Sequence, residues 1–103
     1  MGKIKSGVTP THPGEVLKDE ILYRKISQSK LAIQMGISYK VLNDILNERR
    51  PLTTTTAMLF EAALDIPADA MMRMQLKYNM QMLSKDKTLA ERITKIRQMA
   101  AML

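Results

Sequence analysis

The stretch that decides the fold runs from Gln28 to Asn47 and reads QSKLAIQMGISYKVLNDILN. Leu31, Ala32, Met35, Ile37, Leu42 and Ile45 fall where two short helices crossing steeply about a glycine turn would face one another. Ala32 allows close approach, and Gly36 takes the left-handed conformation that ends the first helix cheaply. Ser27 and Ser38 are suited to cap the two helices, and Asn47 can close the second. Ser38, Tyr39, Lys40, Asn43, Asp44 and Asn47 are left for the outer face of that second helix.

Such a polar outer face is what a helix entering the major groove of duplex DNA requires. Asn43 can pair bidentately with adenine, Lys40 can donate to guanine acceptors, and Tyr39 can touch a thymine methyl or a phosphate. Gln28, at the positive end of the first helix, is placed to hold a backbone phosphate beside free amide groups. Arg49 and Arg50 follow the hairpin and would clamp flanking phosphates, so they position more than they specify. Helical hairpins with a glycine turn also occur as plain structure. Here spacing, caps, outward polar residues and local charge coincide in one segment, which favours the DNA-binding reading. The candidate DNA-binding residues are therefore Gln28, Ser38, Tyr39, Lys40, Asn43, Asn47, Arg49 and Arg50.

Working outward, Pro13 fits a first helical position, His12 is most simply a cap, and Glu15 stands where a carboxylate assists a helix start. Leu17 and Ile21 then share one face of a helix that ends near Arg24 or Lys25. Thr53 can cap a fourth helix carrying Ala57, Phe60, Ala63 and Leu64. Asp65-Ile66-Pro67 breaks the chain and launches a fifth, from about Ala68 to Leu83, with Asp69 near its positive end. No strand pattern appears, so the fold is expected to be all-α. Residues 1–11 read as a flexible arm whose start loosely fits an N-myristoylation pattern, from Gly2 to Ser6.

The 103 residues make one domain, and 46% hydrophobic with 25% charged residues is the composition of a folding chain. Absence of cysteine removes disulfides, thiolate metal sites and cysteine nucleophiles, and points to a cytoplasmic location. One histidine and no cysteine build neither a nucleophile and base pair nor a metal constellation, so enzyme function, cofactor and metal are not expected. No apolar run approaches the ~20 residues that span a bilayer. The net charge of +6 favours a polyanionic partner. That charge is uneven: residues 23–50 and 77–103 each carry six basic against two acidic side chains, whereas residues 51–76 hold one against three.

The fifth helix shows two apolar stripes, Met71, Met74, Tyr78 and Met82 on one and Met72, Leu76, Met80 and Leu83 on the other. At ~100° per residue one body cannot easily cover both, so one stripe is expected to close the core and the other to make a homodimer, the alternative being a helix buried on both sides within one subunit. The first stripe is assigned to the dimer interface. A dimer would set two recognition helices one DNA turn apart, about 34 Å, to match a palindromic operator. Residues 84–103 form a basic amphipathic extension with Leu89, Ile93, Ile96, Ala100 and Leu103 along one narrow seam. That seam fits a coiled-coil-like contact, an intrasubunit dock, or a tail ordered on binding.

Ser27-Gln28 with Leu31-Ala32, Met35-Gly36-Ile37-Ser38, Leu42-Asn43-Asp44-Ile45-Leu46-Asn47 and Arg49-Arg50-Pro51-Leu52-Thr53 resemble the XRE, or lambda-repressor-like, superfamily. Within it, His12-Pro13-Gly14-Glu15 and Met74-Gln75-Leu76 with Tyr78-Asn79 are similar to HigA/VapI-type antitoxins, whose members usually carry Leu-Gln and then Tyr-Asp in the latter region. The resemblance covers residues 12–82. It implies a five-helix DNA-binding domain over residues 12–83, dimeric, that represses its own operon and neutralises a RelE-fold ribonuclease toxin. A free-standing XRE-type regulator without a toxin, or a protein-binding adaptor on the same scaffold, are the rival readings.

Overall fold

The computed structural model describes residues 11–103, so nearly all of the expected N-terminal arm and its myristoylation pattern lie outside the described residues. Six helices follow: α1 (Pro13–Tyr23), α2 (Gln28–Met35), α3 (Tyr39–Leu46), α4 (Thr54–Leu64), α5 (Ala68–Leu83) and α6 (Lys87–Ala100), with no strand among the described residues.

Each start has a local cause. His12 Nδ1 accepts from the Gly14 amide at 2.8 Å, Ser27 and Ser38 accept from the amides of Lys30 and Val41, and Thr53 with Thr56 forms a reciprocal capping box. Helix α5 starts after Pro67 without a side-chain cap. The carboxylate of Glu61 on α4 accepts from the Ala68 amide instead, at 3.2 Å. The stops are less conventional. Gly36 takes φ +71° as expected, but Lys25, Glu48 and Asp65 adopt the same left-handed region after α1, α3 and α4.

Helices α1 to α5 enclose one core of Leu17, Ile21, Leu31, Ala32, Met35, Leu42, Ile45, Leu46, Leu52, Ala57, Phe60, Leu64 and Met71. The buried polar residues among those described are His12, Asp44 and Gln75, and the last of these is satisfied beside this core. Gln75 accepts from the Leu52 amide and donates to Asn79, each at 2.8 Å. Arg24 donates to the Leu64 carbonyl at 2.8 Å and pairs with Glu20, joining the ends of α1 and α4.

The two stripes of α5 divide differently from the expectation. Met71 is buried, Met74 packs against the core, and Tyr78 meets the His12 ring edge-on at 4.9 Å between centroids. These residues, assigned above to a dimer interface, are therefore turned inward; only Met82 at their end is exposed. The open stripe is Leu76, Met80 and Leu83, while Met72 packs against the core. Two regularly spaced stripes do not reveal which one α1 covers, and here the His12 ring decides it.

Helix α6 contributes nothing to the core: none of its residues is buried, and only Leu89 is half-buried. It leans on the end of α5, where Met80, Leu83, Leu89 and Ile93 line an open groove, and the molecule extends over 56 × 31 × 22 Å. The link between α5 and α6 is only three residues long, because Asp86 caps α6 through the Leu89 amide at 3.0 Å.

The seat of α3 depends on Gly14. A Cβ at that position would collide with the Ile45 carbonyl, so the backbone of α1 lies directly against that of α3. Gly14→Ala is expected to destabilise the domain by about 1–3 kcal/mol, the usual range for overpacking a tight contact. Urea denaturation checks this, and a midpoint equal to the parent's would show that the contact is not tight.

Candidate nucleic-acid interface

The interface is assembled on α3 by the division of its faces. Leu42, Ile45 and Leu46 are fully buried against α1 and α2, so at 100° per residue the opposite side must carry Tyr39, Lys40, Asn43, Asp44 and Asn47. Ser38, Tyr39 and Lys40 are exposed at the N-terminal turn, with Tyr39 at 51%. Asn43 and Asn47 are half-buried beside them.

Hydrogen bonds connect the polar residues into one lattice. Asn43 Nδ2 donates to Gln28 Oε1 at 3.3 Å, joining α3 to the N-terminus of α2. Asn43 Oδ1 accepts from the Arg49 guanidinium at 2.8 Å, and Arg49 Nε donates to Asp44 Oδ1 at 3.1 Å. Both ends of Asn43 are thus held in the free protein, and each keeps a second position, one N–H and one oxygen lone pair, with which to read an adenine edge. Gln28 gives its carbonyl oxygen to this lattice, which leaves its amide N–H groups as donors at the start of α2.

Asn47 sits on the outer side but is committed inside the molecule. It donates to the Asn43 carbonyl at 2.9 Å and accepts from Lys18 of α1 at 2.8 Å, which makes it a latch between α1 and α3. Sequence reasoning missed Lys18, because nothing in the local pattern of α1 marks it as a partner of a residue so distant in sequence.

Asp44 corrects the expectation of an open outer face. Its helical angle does direct it away from the core, yet it is only 7% exposed because its neighbours close over it. Its carboxylate lies 3.1 Å from Lys40 Nζ, 3.1 Å from Arg49 Nε and 3.7 Å from a terminal guanidinium nitrogen of Arg50. The hydrogen bond from Lys40 foremost, and then that from Arg49, holds its carboxyl below the ordinary range against the opposing effect of burial. The four-residue spacing of Lys40 and Asp44 was a legible sign of a pair; the arginines reach back from beyond the helix end.

His12 supports this corner from behind. It is 2% exposed, and burial lowers its imidazole below the ordinary 6.5, opposed by the charge of Glu48 and a hydrogen bond with the Arg50 backbone. The histidine therefore ties the start of α1 to the loop that carries Arg49 and Arg50. Among the described residues no group of three His, Cys, Asp or Glu side chains could hold a metal ion. No described helix is long and apolar enough to cross a membrane.

Five packed helices with a hairpin at α2 and α3 and a basic, polar ridge on α3 define a helix-turn-helix protein of the lambda-repressor-like kind. No family model matches the chain. Virulence-associated protein I of Dichelobacter nodosus is 31% identical over 84 residues, covering 81% of this chain and 78% of that protein. PA4674 of Pseudomonas aeruginosa, solved in complex with its 18 bp operator DNA, is 32% identical with a TM-score of 0.69, over 75% of this chain and 84% of that one. An addiction module antidote protein of the HigA family from Coxiella burnetii is 29% identical with a TM-score of 0.72, over 84% and 92% of the two chains. The Pseudomonas aeruginosa antitoxin HigA, solved with the higBA promoter, is 28% identical with a TM-score of 0.68, over 87% and 94%. The chain belongs to the family of virulence-associated protein I, the HigA/VapI-type antitoxins of the XRE superfamily.

The buried histidine makes stability depend on pH. Its folded value is depressed, so the unfolded chain takes up a proton that the folded chain resists. The contribution is whole above 6.5 and declines as pH falls below it, toward the folded value. The melting temperature should drop between pH 7.5 and 5.5, and His12→Asn, which supplies a capping oxygen in place of the ring nitrogen, should flatten that slope. Parallel slopes for parent and variant would remove His12 as the cause.

Proposed function

We propose that this protein is a sequence-specific DNA-binding repressor and the antitoxin of a toxin-antitoxin operon, binding a palindromic operator as a homodimer and neutralising a RelE-fold ribonuclease. The observation that carries the DNA reading is the outward N-terminal turn of α3, with Ser38, Tyr39, Lys40 and Asn43 beside Gln28 at the start of α2. Tyr39, Lys40 and Asn43 read base edges from the major groove, Gln28 and Ser38 hold the backbone at the two helix starts, and Arg49 and Arg50 clamp flanking phosphates. Asn47 acts here by seating Asn43 rather than by reaching DNA. Solved relatives bound to an operator or promoter, at 32% and 28% identity, support this assignment.

For the dimer, the inward turn of Met71, Met74 and Tyr78 leaves Leu76, Met80 and Leu83 as the apolar surface of α5 that a second copy would cover. The toxin reading rests on family membership. No metal, cofactor or membrane enters the proposal.

A binding titration tests the recognition helix. Asn43→Ala is expected to lose about 1–3 kcal/mol of discrimination at the base pair it reads, while binding to unrelated duplex stays near the parent's. An unchanged ranking of operator variants would remove α3 as the reader. Purification from cells carrying the neighbouring gene tests the second half of the proposal. Copurification of a small ribonuclease supports the antitoxin, and its absence leaves the free-standing repressor.

A further inference from the structure

A single carboxylate beneath three cations on a proposed DNA-binding face is costly for simple affinity. Every phosphate that Lys40, Arg49 or Arg50 approaches must compete with Asp44, and the carboxylate itself repels the phosphate backbone. The placement acquires a purpose from what Arg49 does with its other edge. While Nε is held on Asp44 Oδ1, the same planar guanidinium donates to Asn43 Oδ1, and Asn43 in turn donates to Gln28. Arginine suits this task because its donors sit in a rigid fork, so fixing one edge aims the other. The amide of Asn43 is oriented through a continuous relay that begins at Asp44.

We infer that Asp44 is a positioning residue that sets the ratio of operator to random-sequence affinity. It restrains the three neighbouring cations from indiscriminate phosphate contact, and it orients the Asn43 amide through Arg49. This rests on the DNA-binding reading above and extends it to a residue that touches no base. A purely structural role would have a different signature, because a loosened α3 would weaken binding to every duplex alike.

The test uses the full-length protein, a duplex that the parent selects from a randomised pool, and a random-sequence duplex of equal length. Asp44→Asn removes the charge while keeping the shape. It is expected to bind the random duplex about threefold more tightly, from the loss of one repelling charge, while the ratio of selected to random affinity falls about tenfold. Arg49→Lys keeps the charge but loses the fork, so the ratio of selected to random affinity should fall by more than any change in random binding. It also carries the test should Asp44→Asn fail to fold. Variants that weaken both duplexes by one factor, or that preserve the ratio, overturn the inference. A parent protein that selects no duplex at low salt overturns the DNA-binding reading itself, and this inference with it.

Discussion

The backbone of α1 at Gly14 lies against the backbone of α3 at Ile45, and the orientation of the candidate interface follows from that contact. With no side chain between them, the two helices have no flexible layer through which their angle could drift. Leu17 and Ile21 on one side and Leu42, Ile45 and Leu46 on the other then fill the space beneath the contact. Burial of that inner face forces the polar residues of α3 outward. Lys18 reaching to Asn47, and His12 reaching to the Arg50 backbone, fix the two edges of the same seam.

The ridge produced this way is preorganised rather than a set of free side chains. Gln28, Asn43, Arg49 and Asp44 hold one another in a single hydrogen-bonded sequence that spans α2, α3 and the following loop. Restricting side chains before association lowers the ordering cost that binding would otherwise meet. It also means that these residues act as a unit, so substitutions among them should not add.

Much of this was legible in the sequence because local chemistry wrote it there. Ser27, Ser38, Thr53 and Gly36 marked helix ends through requirements that do not depend on the rest of the fold, and the structure places every one at the expected terminus. Lys25, Glu48 and Asp65 were less legible, since they occupy left-handed turns that only glycine adopts without cost. Tertiary packing overrides propensity at these turns. The outward set on α3 was readable from periodicity, but the enclosure of Asp44 was not, because periodicity gives direction and says nothing of what lies on top. Likewise both stripes of α5 were visible, and only the position of His12 revealed that Tyr78 faces inward.

Helix α6 leaves the chain thermodynamically divided. A helix of 14 residues without one buried side chain adds little to the cooperative unit formed by the first five, since isolated helices of that length are marginal in water. Its order is therefore governed by its own helix–coil balance and by whatever covers Ile93, Ile96 and Met99. The heat absorbed on unfolding belongs to the body, while the tail can melt and re-form without the body registering it.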